Sequence, residues 1–222
     1  MNNSKITKYT KFILWGTVVT SSLNAIFNLL FANLITTYFE SETISEDTYI
    51  YLYNLLDSGF SFMSLFYAFF IFASMILLSK WFYTSCKLNH LSGVKGLETS
   101  PRWAWLWYAI PIANLVKPFQ SLEETYKASF QRDDWEEITY PWVFPIWWGS
   151  FLVGGVFSNI SVRMYWDLTE DSPYQDFVAE HYYALTSDIL YIISAFALLQ
   201  IVKTISDNQS KLNFEINFTK VN

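Results

Sequence analysis

The sequence predicts an all-α integral membrane protein: a four-helix bundle with a re-entrant or interfacial, proline-broken segment and a cytoplasmic amphipathic helix. Three observations predict it. Only 15% of the 222 residues are charged, where soluble domains carry about a quarter. Hydrophobic residues make up 52% and aromatic residues 20%. The charges gather in short blocks between long uncharged stretches, the pattern of a chain whose solvent is partly lipid. Residues 1–222 read as a single membrane domain.

The first span covers about 12–39. Phe12 to Phe39 holds no charge, and as helix it is about 42 Å long, more than the ~20 residues a crossing needs. Lys5, Lys8 and Lys11 precede it as in a signal peptide, but a signal's apolar region is only about 7–15 residues. The stretch therefore reads as a retained helix. An acidic loop with Glu40, Glu42, Glu46 and Asp47 leads to the second span, about 58–79, rich in phenylalanine and closed by Lys80.

The third span, about 142–162, ends at Arg163, with Pro141 and Pro145 near its start, where proline costs a helix least. The fourth, about 185–202, ends at Lys203, with Asp188 just inside its outer end. The acidic, aromatic stretch Met164–Ala184 reads as an outer loop on the bilayer surface or over the helices. The tail after Asp207 alternates weakly at Leu212, Phe214, Ile216 and Phe218 and reads as a short strand or, in preference, a disordered end.

The uncharged segment Trp103–Val116 is 14 residues long, bounded by Arg102 and by Lys117-Pro118. It is too short to span comfortably, and its tryptophans suit the headgroup level. Charge asymmetry points the same way. If the segment does not cross, every lysine and arginine except Arg163 falls on the cytoplasmic side, with both termini. If it crosses, Lys117, Lys127, Arg132, Lys203, Lys211 and Lys220 move outside. The positive-inside rule selects four spans.

The helix expected at 118–130 buries Phe119, Leu122, Tyr126 and Phe130, with Glu123 and Lys127 paired at i, i+4. The lone Cys86 excludes an internal disulfide and reads as a small buried side chain. The net charge of −6 excludes a nucleic-acid partner.

From Ser100 onward a motif runs Pro101-Arg102-Trp103-Ala104, Trp107, Pro111-Ile112-Ala113-Asn114-Leu115, Lys117-Pro118-Phe119-Gln120, then Glu124, Tyr126, Lys127, Ala128 and Ser129. It resembles a bacterial membrane family catalogued as domain of unknown function 4328. Thr125-Tyr126 stand where that family usually has Leu-Trp. Trp81, Asn89 and Trp147-Trp148 also look like family positions, so the resemblance covers roughly Trp81 to Arg163. It implies a multi-span protein of the bacterial inner membrane. It carries over no catalytic residue and no cofactor.

The candidate binding residues are Pro111, Asn114, Pro118, Gln120 and Glu124 at the elbow, and Asn24 and Asn28 on one face of the first span. Backbone broken by proline at membrane depth must be buried in protein or line a wet cavity. The elbow reads either as a solute path or as an interfacial anchor for the cytoplasmic helix. The asparagines read as a polar path or as interhelical bonds. Arg163 is a candidate ion-pair partner for Asp57 or Asp188. Asp133, Asp134, Glu136 and Glu137 read as a solvated acidic turn more readily than a divalent-cation site; no metal or catalytic signature appears.

The expected role is a non-enzymatic structural or interaction component. Its partners are the lipid bilayer and a second copy or another membrane protein. The rival readings are a transport or channel component using the Pro111–Pro118 elbow, and a membrane enzyme acting on lipid-linked substrates through the acidic cytoplasmic loop.

Overall fold

The computed structural model describes residues 3–41, 43–107, 110 and 112–219, without the side chains of residues 3, 105 and 212–219. Glu42 and Pro111 therefore lie outside the described residues. The helices are α1 (Asn3–Ser41), α2 (Glu46–Leu91), α3 (Pro101–Leu106), α4 (Lys117–Ala128), α5 (Val143–Asp167) and α6 (Tyr174–Thr219). Single 3-10 turns lie at Ala113–Leu115 and Trp135–Glu137. Among the described residues no strand occurs. Four helices are long and apolar enough to cross a membrane: Ser4–Ser41, Glu46–Leu91, Val143–Asp167 and Tyr174–Lys211.

These helices outrun their apolar stretches for local reasons. At 46 residues, α2 is about 69 Å long, against a hydrocarbon core of ~30 Å. Ser45 caps its start, Oγ accepting the Thr48 N–H at 3.3 Å. Glu46 and Asp47 then offset the positive end of the helix dipole. Gly93, at φ +80°, turns the chain out just past Leu91.

The expected outer loop at Met164–Ala184 is corrected by the structure. α5 runs on through Asp167 and α6 begins at Tyr174, so only residues 168–173 connect them. Asp176 in the first turn of α6 suits a helix start, and its N–H bonds the Pro173 carbonyl at 3.0 Å. The expected disordered tail is also corrected: α6 continues to Thr219. Hydropathy misses this extension because it is held by polar side chains, Ser206, Asn208 and Gln209, that bond to neighbouring elements.

The Trp103–Val116 segment builds no membrane-length helix among the described residues. α3 stops at Leu106, and a single 3-10 turn follows at Ala113–Leu115. α4 begins with Pro118 in its first turn, where the missing N–H is harmless. It ends at Ala128, two residues short of expectation. Beyond it Ser129 Oγ bonds back to the Tyr126 carbonyl, and Gln131 takes φ 53°. Leu122 and Tyr126 are buried as expected, whereas Phe130 is exposed because it lies past the helix end.

Packing divides the chain into two compact units. The first comprises Met1–Trp15, Phe72–Trp148 and Phe196–Asn222. The second comprises Gly16–Ile71 and Gly149–Ala195. The core of the first unit is built on Trp81, Leu122, Phe144, Ile201, Val202 and Ile205. Tyr126 and Tyr140 pack around Phe144, with ring centroids 5.1 and 5.6 Å away.

In the second unit Phe31, Ala32 and Ile35 form the buried stripe of α1. There α5 and α6 approach closely at Gly154, whose carbonyl accepts Ser187 Oγ–H at 3.0 Å. Exposed Phe62, Leu65, Phe66 and Phe69 on α2 offer a surface compatible with lipid contact.

A Cβ placed at Gly154 would meet Tyr191 and Leu190 at 3.2–3.3 Å, whereas one at Gly155 meets only the Tyr191 hydroxyl at 3.8 Å. Gly154→Val is therefore expected to destabilise the detergent-solubilised protein by about 1–3 kcal/mol through overpacking. Gly155→Val should cost clearly less, and thermal unfolding of the two variants side by side checks the order.

Candidate functional site

The elbow belongs to the first unit, where Glu124 and Ser129 of the motif bond backbone. Both carboxylate oxygens of Glu124 accept the Thr99 N–H at 3.1 Å, and Oε2 also accepts the Thr99 hydroxyl at 2.6 Å. The Thr99 carbonyl accepts Cys86 Sγ–H at 3.4 Å and lies 2.9 Å from His90 Nε2. One threonine of the α2–α3 connection is thus clamped from α4 on one side and α2 on the other. Glu124 is a tether, and the sequence alone could not assign it that role because Thr99 lies 25 positions away.

Asn89 ties three helices together. Its Nδ2 donates to the Thr125 carbonyl of α4 at 2.9 Å. Its Oδ1 accepts from Gln209 Nε2 of α6 at 2.8 Å, and the same Nε2 donates to the Ser85 carbonyl at 2.8 Å. Asn89 and Gln209 are each 1% exposed, so the bonds are made where water does not compete. Asn208 Nδ2 donates to Ser129 Oγ at 3.0 Å, adding a second α6 contact just past α4.

Indole N–H groups hold the connecting chain. Trp148 donates to the Leu115 carbonyl at 2.9 Å, joining the elbow to α5. Trp135 donates to the Lys95 carbonyl at 3.0 Å, and Trp81 to Ser206 Oγ at 3.2 Å. Lys117 Nζ lies 5.9 Å from the Trp107 ring centroid, within cation–π range.

Of the remaining elbow candidates, Pro118 is buried at the start of α4 and Gln120 is exposed. The Asn114 N–H bonds the Ile110 carbonyl at 2.7 Å, but its Oδ1 is buried without a hydrogen-bond partner. Pro111 lies outside the described residues.

Around the acidic turn, Arg132 grips Asp134 with two bonds of 2.8 and 2.6 Å, which hold that carboxyl below the usual carboxylate range. Burial pushes the Tyr126 hydroxyl up. Among the described residues no group of three or more histidine, cysteine, aspartate or glutamate side chains is placed to share a metal ion.

The second unit carries a different arrangement. Asn28 Nδ2 donates to Asp188 Oδ2 at 3.2 Å, and its Oδ1 lies 3.1 Å from His181 Nδ1. His181 Nδ1 is also 3.3 Å from Glu180 Oε2, whose partner oxygen Oε1 accepts Ser161 Oγ–H at 2.6 Å. The Phe31 ring stacks flat on the His181 ring at 4.9 Å. Asp188 and Glu180 are 6% and 8% exposed.

Asn24, one helical turn before Asn28, is also buried, and its Oδ1 has no partner. Asp57 and Arg163 are exposed. The ion pairs among the described residues are Lys127–Glu123, Arg132–Asp134 and His181–Glu180, so Arg163 meets neither Asp57 nor Asp188.

Sequence reasoning found Asn24, Asn28 and Asp188 but missed Glu180 and His181. The signal was present, since 180, 184, 187, 188 and 191 recur at helical spacing. It was obscured by reading residues 164–184 as a loop.

These features define an all-α protein on four apolar helices of membrane length, with a broken elbow fastened by amide, indole and carboxylate side chains. The chain belongs to the family of domain of unknown function DUF4328, whose profile matches residues 54–207. No curated protein and no solved structure matches it.

Glu124→Ala is expected to free the α2–α3 connection. Trypsin cleavage at Lys95 of the solubilised protein should accelerate several-fold, and stability should fall by about 1–3 kcal/mol as the Thr99 donors are left unpaired. Glu123→Ala, which removes only a partly exposed ion pair, should lower stability by under about 1 kcal/mol.

Proposed function

We propose that the protein is a non-enzymatic component of the bacterial inner membrane, multi-pass with both termini in the cytoplasm. Its role is to assemble with a second copy of itself or with a membrane partner protein. The observation that carries this reading is the engagement of Glu124 and Asn89. The motif's carboxylate, Glu124, and the buried amide of Asn89, which precedes the motif, fasten chain segments, which leaves neither group free for substrate.

The elbow supports an interfacial anchor. Ile112 is 85% exposed, and Trp103, Leu115 and Val116 are exposed beside it, between Arg102 and Lys117. An apolar surface with tryptophan and flanking cations suits the headgroup boundary of the cytoplasmic leaflet. With the elbow on that side, Arg163 is the one basic residue left outside, as the positive-inside rule favours. The transport reading draws on one observation, the unpartnered Oδ1 of Asn114.

Two experiments test these readings. In a Cys86→Ala background, cysteines introduced at Lys127 and Asp171 should react with an impermeant thiol reagent from opposite sides of the membrane; reaction from the same side contradicts the topology. In proteoliposomes, solute and ion flux should stay at the lipid-only baseline. Flux that Asn114→Ala abolishes while leaving thermal stability intact would overturn the structural reading in favour of transport.

A further inference from the structure

The elbow of the first unit turns apolar side chains outward. Trp103, Ile110, Ile112, Leu115 and Val116 are all exposed. Trp148 holds the Leu115 carbonyl at 2.9 Å, and Pro118 is buried at the start of α4, so the backbone carrying the last of them is fixed in place. Apolar side chains gathered on one exposed segment mark a contact with lipid or with protein.

Two cations frame the same segment. The Trp103 and Trp107 rings stack at 4.7 Å, Arg102 adjoins Trp103 in sequence, and Lys117 Nζ lies 5.9 Å from the Trp107 ring centroid. The tryptophan stack thus links the position of Arg102 to the head of Lys117 across the elbow. Both basic residues are exposed. The ion pairs among the described residues are Lys127–Glu123, Arg132–Asp134 and His181–Glu180, so no carboxylate holds either cation. No aspartate or glutamate occurs from Thr99 to Leu122. Of the acids that flank this stretch, Glu98 is exposed, Glu123 pairs with Lys127, and Glu124 is bonded to Thr99. Contact with a ring face leaves the lysine N–H donors free for an anionic oxygen.

The chemistry of the occupant follows from this combination. A small phosphate would satisfy the cations and leave the apolar side chains in water. An apolar helix of another protein would cover those side chains but desolvate the cations without an anion. A phospholipid carries phosphate and acyl chains on one molecule, with its glycerol at the depth tryptophan prefers. A zwitterionic headgroup cancels its phosphate with its own ammonium, so two unpaired cations select an anionic lipid.

We propose that the elbow binds an anionic phospholipid of the adjacent leaflet, its phosphate held by Lys117 and Arg102 and the start of its chains lying against Ile112, Leu115 and Val116. The inference rests on the reading of the elbow as an interfacial anchor and names the ligand it anchors to.

The test uses the full chain in dodecyl maltoside, titrated with dioleoyl phosphatidylglycerol, dioleoyl phosphatidylcholine or glycerol 3-phosphate. Native mass spectrometry reads bound lipid and oligomeric state together. Each cation near an anionic surface is worth roughly a fivefold preference, so the first phosphatidylglycerol is expected to bind about 25-fold tighter than phosphatidylcholine. Glycerol 3-phosphate, which lacks chains, should not bind at the same concentrations. Arg102→Gln/Lys117→Gln should bring the two lipids level. Lys95→Gln/Lys211→Gln removes the same charge elsewhere in the first unit and should keep the preference. Ile112→Ser should weaken both lipids alike. All five substituted residues are exposed, and Lys117→Gln alone, should a double variant not fold, is expected to lose about fivefold.

Equal binding of the two lipids by the wild type overturns the proposal, as does a preference that survives Arg102→Gln/Lys117→Gln or is lost equally in Lys95→Gln/Lys211→Gln. So does glycerol 3-phosphate binding as tightly as the lipid. An oligomer dissolved by Ile112→Ser with lipid binding intact would make the patch a protein contact and overturn it too. Same-side labelling or solute flux would contradict the reading above and leave the lipid preference standing; equal lipid binding would do the reverse.

Discussion

The Asn89 side chain is bonded at both ends, to the Thr125 carbonyl and to Gln209, and the placement of the elbow depends on that pair of bonds. Few side chains can donate and accept in opposite directions across a dry contact. Replacing Asn89 with an apolar residue would leave the Gln209 amide partly unpaired and remove the donor on Thr125. Because Thr125 is on α4, the same amide fixes the helix whose next residue back, Glu124, clamps Thr99. The Trp148–Leu115 bond then fastens the other end of the elbow. The segment around the elbow is fastened because Asn89, Glu124 and Trp148 each bond backbone.

Much of the fold was legible in the sequence because lipid imposes one strong rule: apolar, uncharged runs of sufficient length become helices. The four membrane-length helices follow from that rule, and so does the absence of a fifth at Trp103–Val116 among the described residues. What hydropathy could not register was helix stabilised by polar contacts. Ser206 and Gln209 look like the start of a solvated tail, yet they are buried against Trp81, Ser85 and Asn89. Glu180 and His181 look like loop residues, yet they continue the face of α6 that carries Asp188. In both places the period of 3.6 was intact and the composition was misleading.

The site was legible in part. The motif marked a segment that Glu124 and Trp148 fasten, and Asn28 and Asp188 were picked out singly. Their partners lie 153 and 160 positions apart along the chain, so no spacing rule links them. In the first unit, amides, indoles and a carboxylate bond backbone groups. In the second, carboxylates outnumber bases. Each unit also holds a buried amide oxygen without a partner, Asn114 in the first and Asn24 in the second.

The central claim is that buried amide bonds fasten the elbow's surroundings, and a double-mutant cycle on Asn89 and Gln209 tests it most directly. With unfolding of Asn89→Ala, Gln209→Ala and the double variant measured in the same detergent, the account predicts a favourable coupling of about 0.5–3 kcal/mol between the two side chains. Additive effects within about 0.5 kcal/mol, or single variants as stable as the parent, would contradict it.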